Sequence, residues 1–101
     1  MTYSSHVIEV RQTSDFRDWL NGLKDKRAVE KIAIRIARVQ SGLFGDAKYF
    51  DGIGELRLDI GPGYRLYFVR RGNEIIILLC GGDRSNQGRD IKKALQMAKE
   101  L

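Results

Sequence analysis

The residues of this 101-residue chain that could do chemistry are mainly arginines in its second half. Arg57 stands in a strand-like run between two leucines, Arg65 begins another such run, and Arg84 follows a Gly-Gly pair. The planar guanidinium of arginine binds phosphate through two parallel hydrogen bonds and keeps its charge at neutral pH. If these three side chains share one surface, that surface would suit the backbone of a nucleic acid.

Three predicted strands position these arginines. The first, Glu55–Ile60, alternates charged residues with leucine or isoleucine. A Gly-Pro-Gly turn leads to the second strand, Tyr64–Arg71, and the turn Gly72-Asn73 leads to the third, Glu74–Cys80. The third strand is apolar almost throughout, so we expect it to lie inside the sheet and to be covered on both faces.

Pairing these strands predicts which side chains lie together. When the leucines of the first two strands face the core, Arg57, Asp59, Arg65 and Tyr67 emerge on the opposite face. Antiparallel pairing with the third strand then brings Arg84 beside Arg65. Two functions are open for this face: a phosphate-binding site, or cross-strand ion pairs that only solubilise the sheet.

The remaining elements indicate an α+β fold. The order is strand, two helices, a three-stranded antiparallel meander and a last helix, with the strands grouped rather than alternating with helices. The predicted elements outside the meander are a strand His6–Gln12, a helix Ser14–Leu23, a longer helix capped by Asp25 and ended by Gly42, an irregular loop Leu43–Gly54, and a helix Gly88–Leu101.

The longer helix carries a second group of positive charges. Arg27, Lys31, Arg35 and Arg38 are spaced by four, four and three residues, which places them on one side of the helix. This basic ridge could bind nucleic acid, but a solvated helix face explains it more simply.

Composition limits the classes of protein and of site. The length supports one domain, and the net charge of +5 fits either a domain that meets an anionic polymer or a merely soluble surface. A single cysteine, Cys80, and a single histidine, His6, predict neither a disulfide nor a metal centre, and we expect no cofactor. We interpret His6 as incidental and Cys80 as a buried small apolar residue. No signal peptide or membrane span is visible, so we expect a cytoplasmic protein.

Several strings, in their order and spacing, resemble the HigB-like "addiction module killer protein" branch of the RelE/ParE toxin superfamily. They are Glu55-Leu56-Arg57, Gly61-Pro62-Gly63-Tyr64-Arg65, and Gly81-Gly82-Asp83-Arg84-Ser85-Asn86-Gln87 with Asp90-Ile91 beyond. The resemblance extends over the Trp19-Leu20 helix and the helix around Ile32 to Gly42, and so over nearly the whole chain. It implies a RelE-like α+β domain.

The resemblance also implies a function. RelE-like toxins are metal-independent endoribonucleases that cut mRNA in the ribosomal A site, where the 2′-hydroxyl attacks the adjacent phosphate. Matched motif to motif, Arg57, Arg65 and Arg84 fall at positions that bind phosphate and stabilise the transition state. The implied partners are the ribosome, mRNA and a HigA-like helix-turn-helix antitoxin in a hetero-oligomeric complex, with operator DNA bound only through the antitoxin.

Two positions depart from RelE itself. Asp59 replaces a lysine, and Asp90 stands at about the position of a tyrosine, so proton handling must differ. Asp59, Asp83 or Asp90 could serve as general base if burial raised its pKa, and Tyr67 could stack on a base. For Asp90, a favourable interaction with the helix dipole is the simpler interpretation.

These departures keep another function open. A ParE-like toxin would inhibit DNA gyrase by binding it, without cutting RNA. A plain nucleic-acid-binding module is a third reading, favoured only if the basic ridge were the main positive surface.

Overall fold

Within residues 7–101, which the computed structural model describes, five strands form one sheet and three α-helices pack on it. The elements are β1 Glu9–Gln12, α1 Ser14–Asn21, α2 Lys26–Gln40, β2 Ala47–Phe50, β3 Ile53–Leu58, β4 Tyr64–Arg71, β5 Ile75–Asp83 and α3 Gln87–Lys99, with a 3-10 turn Arg84–Asn86 before α3. His6 lies outside the described residues. The predicted α+β class is confirmed.

The sheet is mixed, with strand order β1-β5-β4-β3-β2. β1 runs parallel to β5, and the other neighbouring strands are antiparallel. β5 therefore lies between two strands, as its apolar sequence predicts. β4 has the predicted bounds, Tyr64–Arg71.

The predicted irregular loop Leu43–Gly54 is wrong in part, because it contains β2 and the start of β3. The two strands are joined by Asp51-Gly52, which have φ angles of 40° and 95°. Positive φ at both turn residues is the geometry of a two-residue hairpin, and Asp-Gly favours it. This dipeptide is the sequence signal for the hairpin.

Two apolar layers hold the helices on opposite faces of the sheet. Phe16 of α1 and Ile32 of α2 belong to a core with Leu56, Leu66 and Phe68. On the other face, α3 packs through Ala94 in a core whose sheet residues are Ile53, Tyr67, Val69, Leu79 and Cys80. Cys80 is buried as predicted, and burial raises the pKa of its thiol to about 11.

Side chains cap the starts of α1 and α2, and Asp25 caps α2 as predicted. The Asp25 carboxylate accepts hydrogen bonds from the backbone N–H groups of Arg27 and Ala28, at 3.0 and 3.3 Å. Thr13 caps α1 by accepting from the N–H of Phe16 at 3.1 Å. Of the helices described, none has the length and apolar character needed to cross a membrane.

Gly81 and Gly82 lie inside β5, whereas the predicted strand ends at Cys80. A Cβ atom at Gly81 would stand 2.2 Å from the Trp19 ring, and one at Gly82 would stand 1.9 Å from Oδ2 of Asp90. These glycines thus let α1 and α3 approach the same strand from its two faces.

Candidate functional site

Arg57 and Arg65 lie directly opposite each other in the β3–β4 pairing. Their side chains emerge on the face that α3 covers in part. The side chain of Arg57 is 29% exposed, whereas Arg65 is only 8% exposed. Nη1 of Arg65 makes long hydrogen bonds, each 3.4 Å, to the backbone carbonyls of Gly63 and Tyr64.

Arg84 reaches the same end of the sheet from the 3-10 turn that follows β5. Its guanidinium lies against Gly63, where an added Cβ would be 3.4 Å from Nε and from Nη2. The turn begins beside β4, because Tyr64 pairs with Asp83 and Arg65 pairs with Gly82. Arg84 is exposed. The structure therefore brings Arg57, Arg65 and Arg84 together at one end of the sheet.

Glu55 lies on the same face and was not among the predicted site residues. It is fully buried, its Oε1 accepts a hydrogen bond from Nε of Arg57 at 2.7 Å, and its Oε2 accepts one from Nε2 of Gln87 at 2.9 Å. Burial alone would raise the pKa of Glu55, but these hydrogen bonds outweigh it and hold the pKa below its usual range. Glu55 is therefore an anion at neutral pH. The sequence signal for Glu55 was its position two residues before Arg57, which places both side chains on the same face of the strand.

Tyr67 is fully buried, which contradicts its predicted exposure. Its hydroxyl faces the buried Glu55 carboxylate and interacts with it, whereas Nε of Arg65 has no hydrogen-bond partner among the described residues. Burial, and then the negative charge of Glu55, raise the pKa of Tyr67 far above its usual value, so the phenol stays neutral. Tyr67 is thus not available to stack on a base in this conformation.

Asp90 turns its carboxylate from α3 onto the sheet. It is 8% exposed and lies against Gly82, the residue that pairs with Arg65. Burial raises the pKa of Asp90, although the positive charges of Arg89 and Lys93 oppose the rise. Among the predicted candidates for a general base, Asp90 thus meets the condition of a raised pKa.

Asp83 has the opposite environment. Its carboxylate caps the 3-10 turn by accepting hydrogen bonds from the N–H and hydroxyl of Ser85, at 2.9 and 2.5 Å. These bonds lower the pKa of Asp83. Asp83 is therefore a capping residue and a weak base.

Asp59 lies apart from the three arginines. β3 ends at Leu58, and Asp59 lines a groove with Lys31, Arg35 and Arg38 of α2. Strand alternation predicted that Asp59 shares a face with Arg57, and this is wrong because the strand has ended before it.

The basic ridge of α2 is interrupted at Arg35. Its guanidinium donates to three backbone carbonyls, those of Phe44, Arg57 and Asp46, at 2.8, 2.8 and 2.7 Å. Burial lowers the pKa of Arg35, and the opposite charge of Asp46 counters this. Through these hydrogen bonds Arg35 connects α2 to β3 and to the loop before β2. Arg27, Lys31 and Arg38 are exposed.

The geometry at the arginine end of the sheet defines what the site can do. Arg84 is exposed and Arg57 is half-buried, Arg65 adds charge from a buried position, and Asp90 supplies a carboxylate with a raised pKa. Fixed positive charge beside a proton acceptor suits the binding of a phosphate diester and proton transfer at it.

Comparison with known proteins places the chain in a family. No family model matches the chain. It is 50% identical over 96 residues to an uncharacterized protein of Haemophilus influenzae, a match that covers 94% of this chain and 97% of that protein. The solution structure of a conserved hypothetical protein from Helicobacter pylori is similar in fold, with a TM-score of 0.52 and 20% identity over 77% of this chain and 96% of that one. The chain therefore belongs to the same family as the Haemophilus influenzae protein.

Proposed function

We propose that this protein is the toxin of a bacterial type II toxin–antitoxin system and cuts ribosome-bound mRNA without a metal ion. The proposal includes a RelE-like, HigB-like layout of the α+β fold. The observation that carries it is the position of Arg57, Arg65 and Arg84 at one end of the sheet beside the Asp90 carboxylate. The sequence motifs that resemble the HigB-like branch give it independent support.

The proposed reaction is attack of an RNA 2′-hydroxyl on the adjacent phosphorus. The new O–P bond forms in line with the bond to the 5′-oxygen, which breaks and leaves a 2′,3′-cyclic phosphate and a 5′-hydroxyl. Arg57 and Arg84 bind the phosphate oxygens and stabilise the charge that develops on them. Asp90 accepts the proton of the 2′-hydroxyl, and solvent protonates the leaving oxygen.

Arg65 has a different role in this proposal from the other two arginines. Because it is buried and hydrogen-bonded to the Gly63 and Tyr64 carbonyls, it supplies charge beneath the phosphate and holds the turn that Arg84 contacts. Tyr67 is assigned to packing under α3 rather than to base stacking.

The partners and location belong to the proposal. A HigA-like helix-turn-helix antitoxin would neutralise the toxin in a hetero-oligomeric complex and bind operator DNA. Both the ribosome and this complex would meet the protein in the cytoplasm.

A second candidate function is ParE-like inhibition of DNA gyrase through protein binding. The burial of Arg65 and Tyr67 favours it, because only part of the polar face is then open to a substrate. Primer extension on cellular mRNA after induction of the protein alone distinguishes the two. Growth arrest with new 5′ ends at A-site codons supports the nuclease, whereas arrest with intact mRNA and stalled replication supports gyrase inhibition.

A further inference from the structure

The buried carboxylate of Glu55 connects two of the site's segments. One oxygen accepts from Nε of Arg57 on β3, and the other accepts from Nε2 of Gln87, the first residue of α3. Gln87 follows directly after the 3-10 turn that begins with Arg84. A single side chain therefore contacts Arg57 and, through Gln87, the turn that carries Arg84.

A fully buried carboxylate needs a specific reason, because the other fully buried side chains of the sheet are mostly apolar. Its desolvation is unfavourable and is repaid only when charge and hydrogen bonds match it closely. Here both oxygens are matched, at 2.7 and 2.9 Å. An apolar residue would fill the position without that desolvation cost. We therefore assign the Glu55 carboxylate to orienting its hydrogen-bond partners and not to filling the core.

The strand pairing supplies a second reason. Arg57 stands opposite Arg65, a pair of like charges, while Glu55 stands opposite Tyr67 on the same face. Like charges directly across two strands repel each other. The anion of Glu55 holds the Arg57 guanidinium toward itself by a charge-assisted hydrogen bond.

We propose that Glu55 is a positioning residue that sets the separation between the Arg57 and Arg84 guanidinium groups. Glu55 acts through two hydrogen bonds, which we call its two arms. The first joins it directly to Arg57, and the second joins it to Gln87 and so fixes the start of α3 and the turn before it. The consequence for RNA cleavage rests on the proposed function. The two arms themselves can be tested without it.

The structural test uses nuclear magnetic resonance of the full chain labelled with ¹⁵N. In Glu55→Gln the new amide cannot accept from both partners, so exchange of the Arg57 Hε proton with water is expected to speed up at least about tenfold. In Gln87→Ala only the second arm is lost, so the resonances of Arg84 and Ser85 shift while Arg57 Hε keeps its protection. Gln96→Ala, an exposed position of α3, is the matched control and shifts neither.

Two results of the resonance measurements would overturn the inference. One is unchanged protection of Arg57 Hε in a folded Glu55→Gln protein. If Glu55→Gln does not fold, the second result decides: unshifted resonances of Arg84 and Ser85 in Gln87→Ala would overturn the inference.

Cleavage of mRNA on ribosomes gives the functional readout. A misplaced catalytic group costs rate, so Glu55→Gln is expected to lower kcat roughly tenfold to a hundredfold with KM nearly unchanged. Wild-type kcat in folded Glu55→Gln overturns the positioning role. If the wild-type protein cuts no RNA, the proposed nuclease function fails, and the resonance test still decides whether Glu55 holds Arg57 and the turn that carries Arg84.

Discussion

The Asp90 carboxylate on α3 lies against the backbone of Gly82 on β5, so closely that a Cβ atom at Gly82 would stand 1.9 Å from Oδ2 of Asp90. Gly82 pairs with Arg65 across the sheet. A strand residue without a side chain therefore allows the first turn of α3 to bring an acid onto the arginine-bearing face. The contact links the stability of α3 docking to the chemistry of the site.

The first prediction concerns this contact. Gly82→Ala places a methyl group where the Asp90 carboxylate lies, so that carboxylate must leave its position against the sheet, by side-chain rotation or by a shift of α3. We expect the free energy of unfolding to fall by about 1–3 kcal/mol, measured by urea denaturation, together with loss of RNA cleavage. Gly88→Ala is the control, because a Cβ there meets nothing within 4 Å and alanine favours a helix. Equal stability of Gly82→Ala and the wild type would contradict the observed packing.

The second prediction concerns the pH dependence of stability at Asp90. Burial raises the pKa of Asp90 in the folded state, so ionisation opposes folding at pH values above that pKa, and the penalty is lost as pH falls below the unfolded pKa of about 3.9. Asp90→Asn removes this ionisation. The variant should be more stable than the wild type at pH 7, and the difference should shrink as pH falls toward 3.5. Urea denaturation at both pH values measures it, and a difference that grows on acidification would show that the pKa is lowered instead.

The third prediction concerns Glu55, for which the sign is opposite. Its pKa is lowered in the folded state, so its stabilisation is present above the unfolded pKa of about 4.3 and is lost as pH falls through the folded value. Glu55→Gln should therefore be less stable than the wild type by about 1–3 kcal/mol at pH 7. The deficit should narrow below about pH 4. Glu74→Gln, at an exposed position, should show neither effect in the same titration of stability.

The fourth prediction separates Arg35 from the rest of the basic ridge. Its three hydrogen bonds to backbone carbonyls cannot be reproduced by lysine, which lacks the planar fork. Arg35→Lys should lower the free energy of unfolding by about 1–3 kcal/mol. Arg38→Lys, at an exposed position on the same helix, should stay within about 0.5 kcal/mol of the wild type. Equal effects of the two changes in thermal unfolding would contradict the distinction.

Local patterns in the sequence predicted the elements that have strong periodicity or caps. The bounds of β4 and the Asp25 cap of α2 are as predicted, because alternation and capping act over a few residues. β2 was missed because its four residues, Ala47–Phe50, include no alternating apolar pattern and gain their stability from pairing with β3. The Asp51-Gly52 turn was the available signal.

The candidate site shows the limit of the same reasoning. Alternation correctly grouped Arg57, Arg65 and Tyr67 on one face of β3 and β4. It gives no information on which face another element covers, and α3 covers Tyr67 through contacts distant in sequence. The hydrogen bond that Gln87 donates to the buried Glu55 carboxylate likewise joins residues that are distant in sequence.

Arg84 is the exposed arginine of the candidate site, and in the proposed function it acts in RNA cleavage. The most direct measurement is the cleavage rate of a defined mRNA on programmed ribosomes by purified wild type and Arg84→Ala. Arg17→Ala, an exposed arginine of α1, is the matched control. We expect fragments that end in 2′,3′-cyclic phosphate with the wild type and the control, and a rate at least about a hundredfold lower with Arg84→Ala. Intact mRNA with the wild type, or an equal rate with Arg84→Ala, would contradict this expectation.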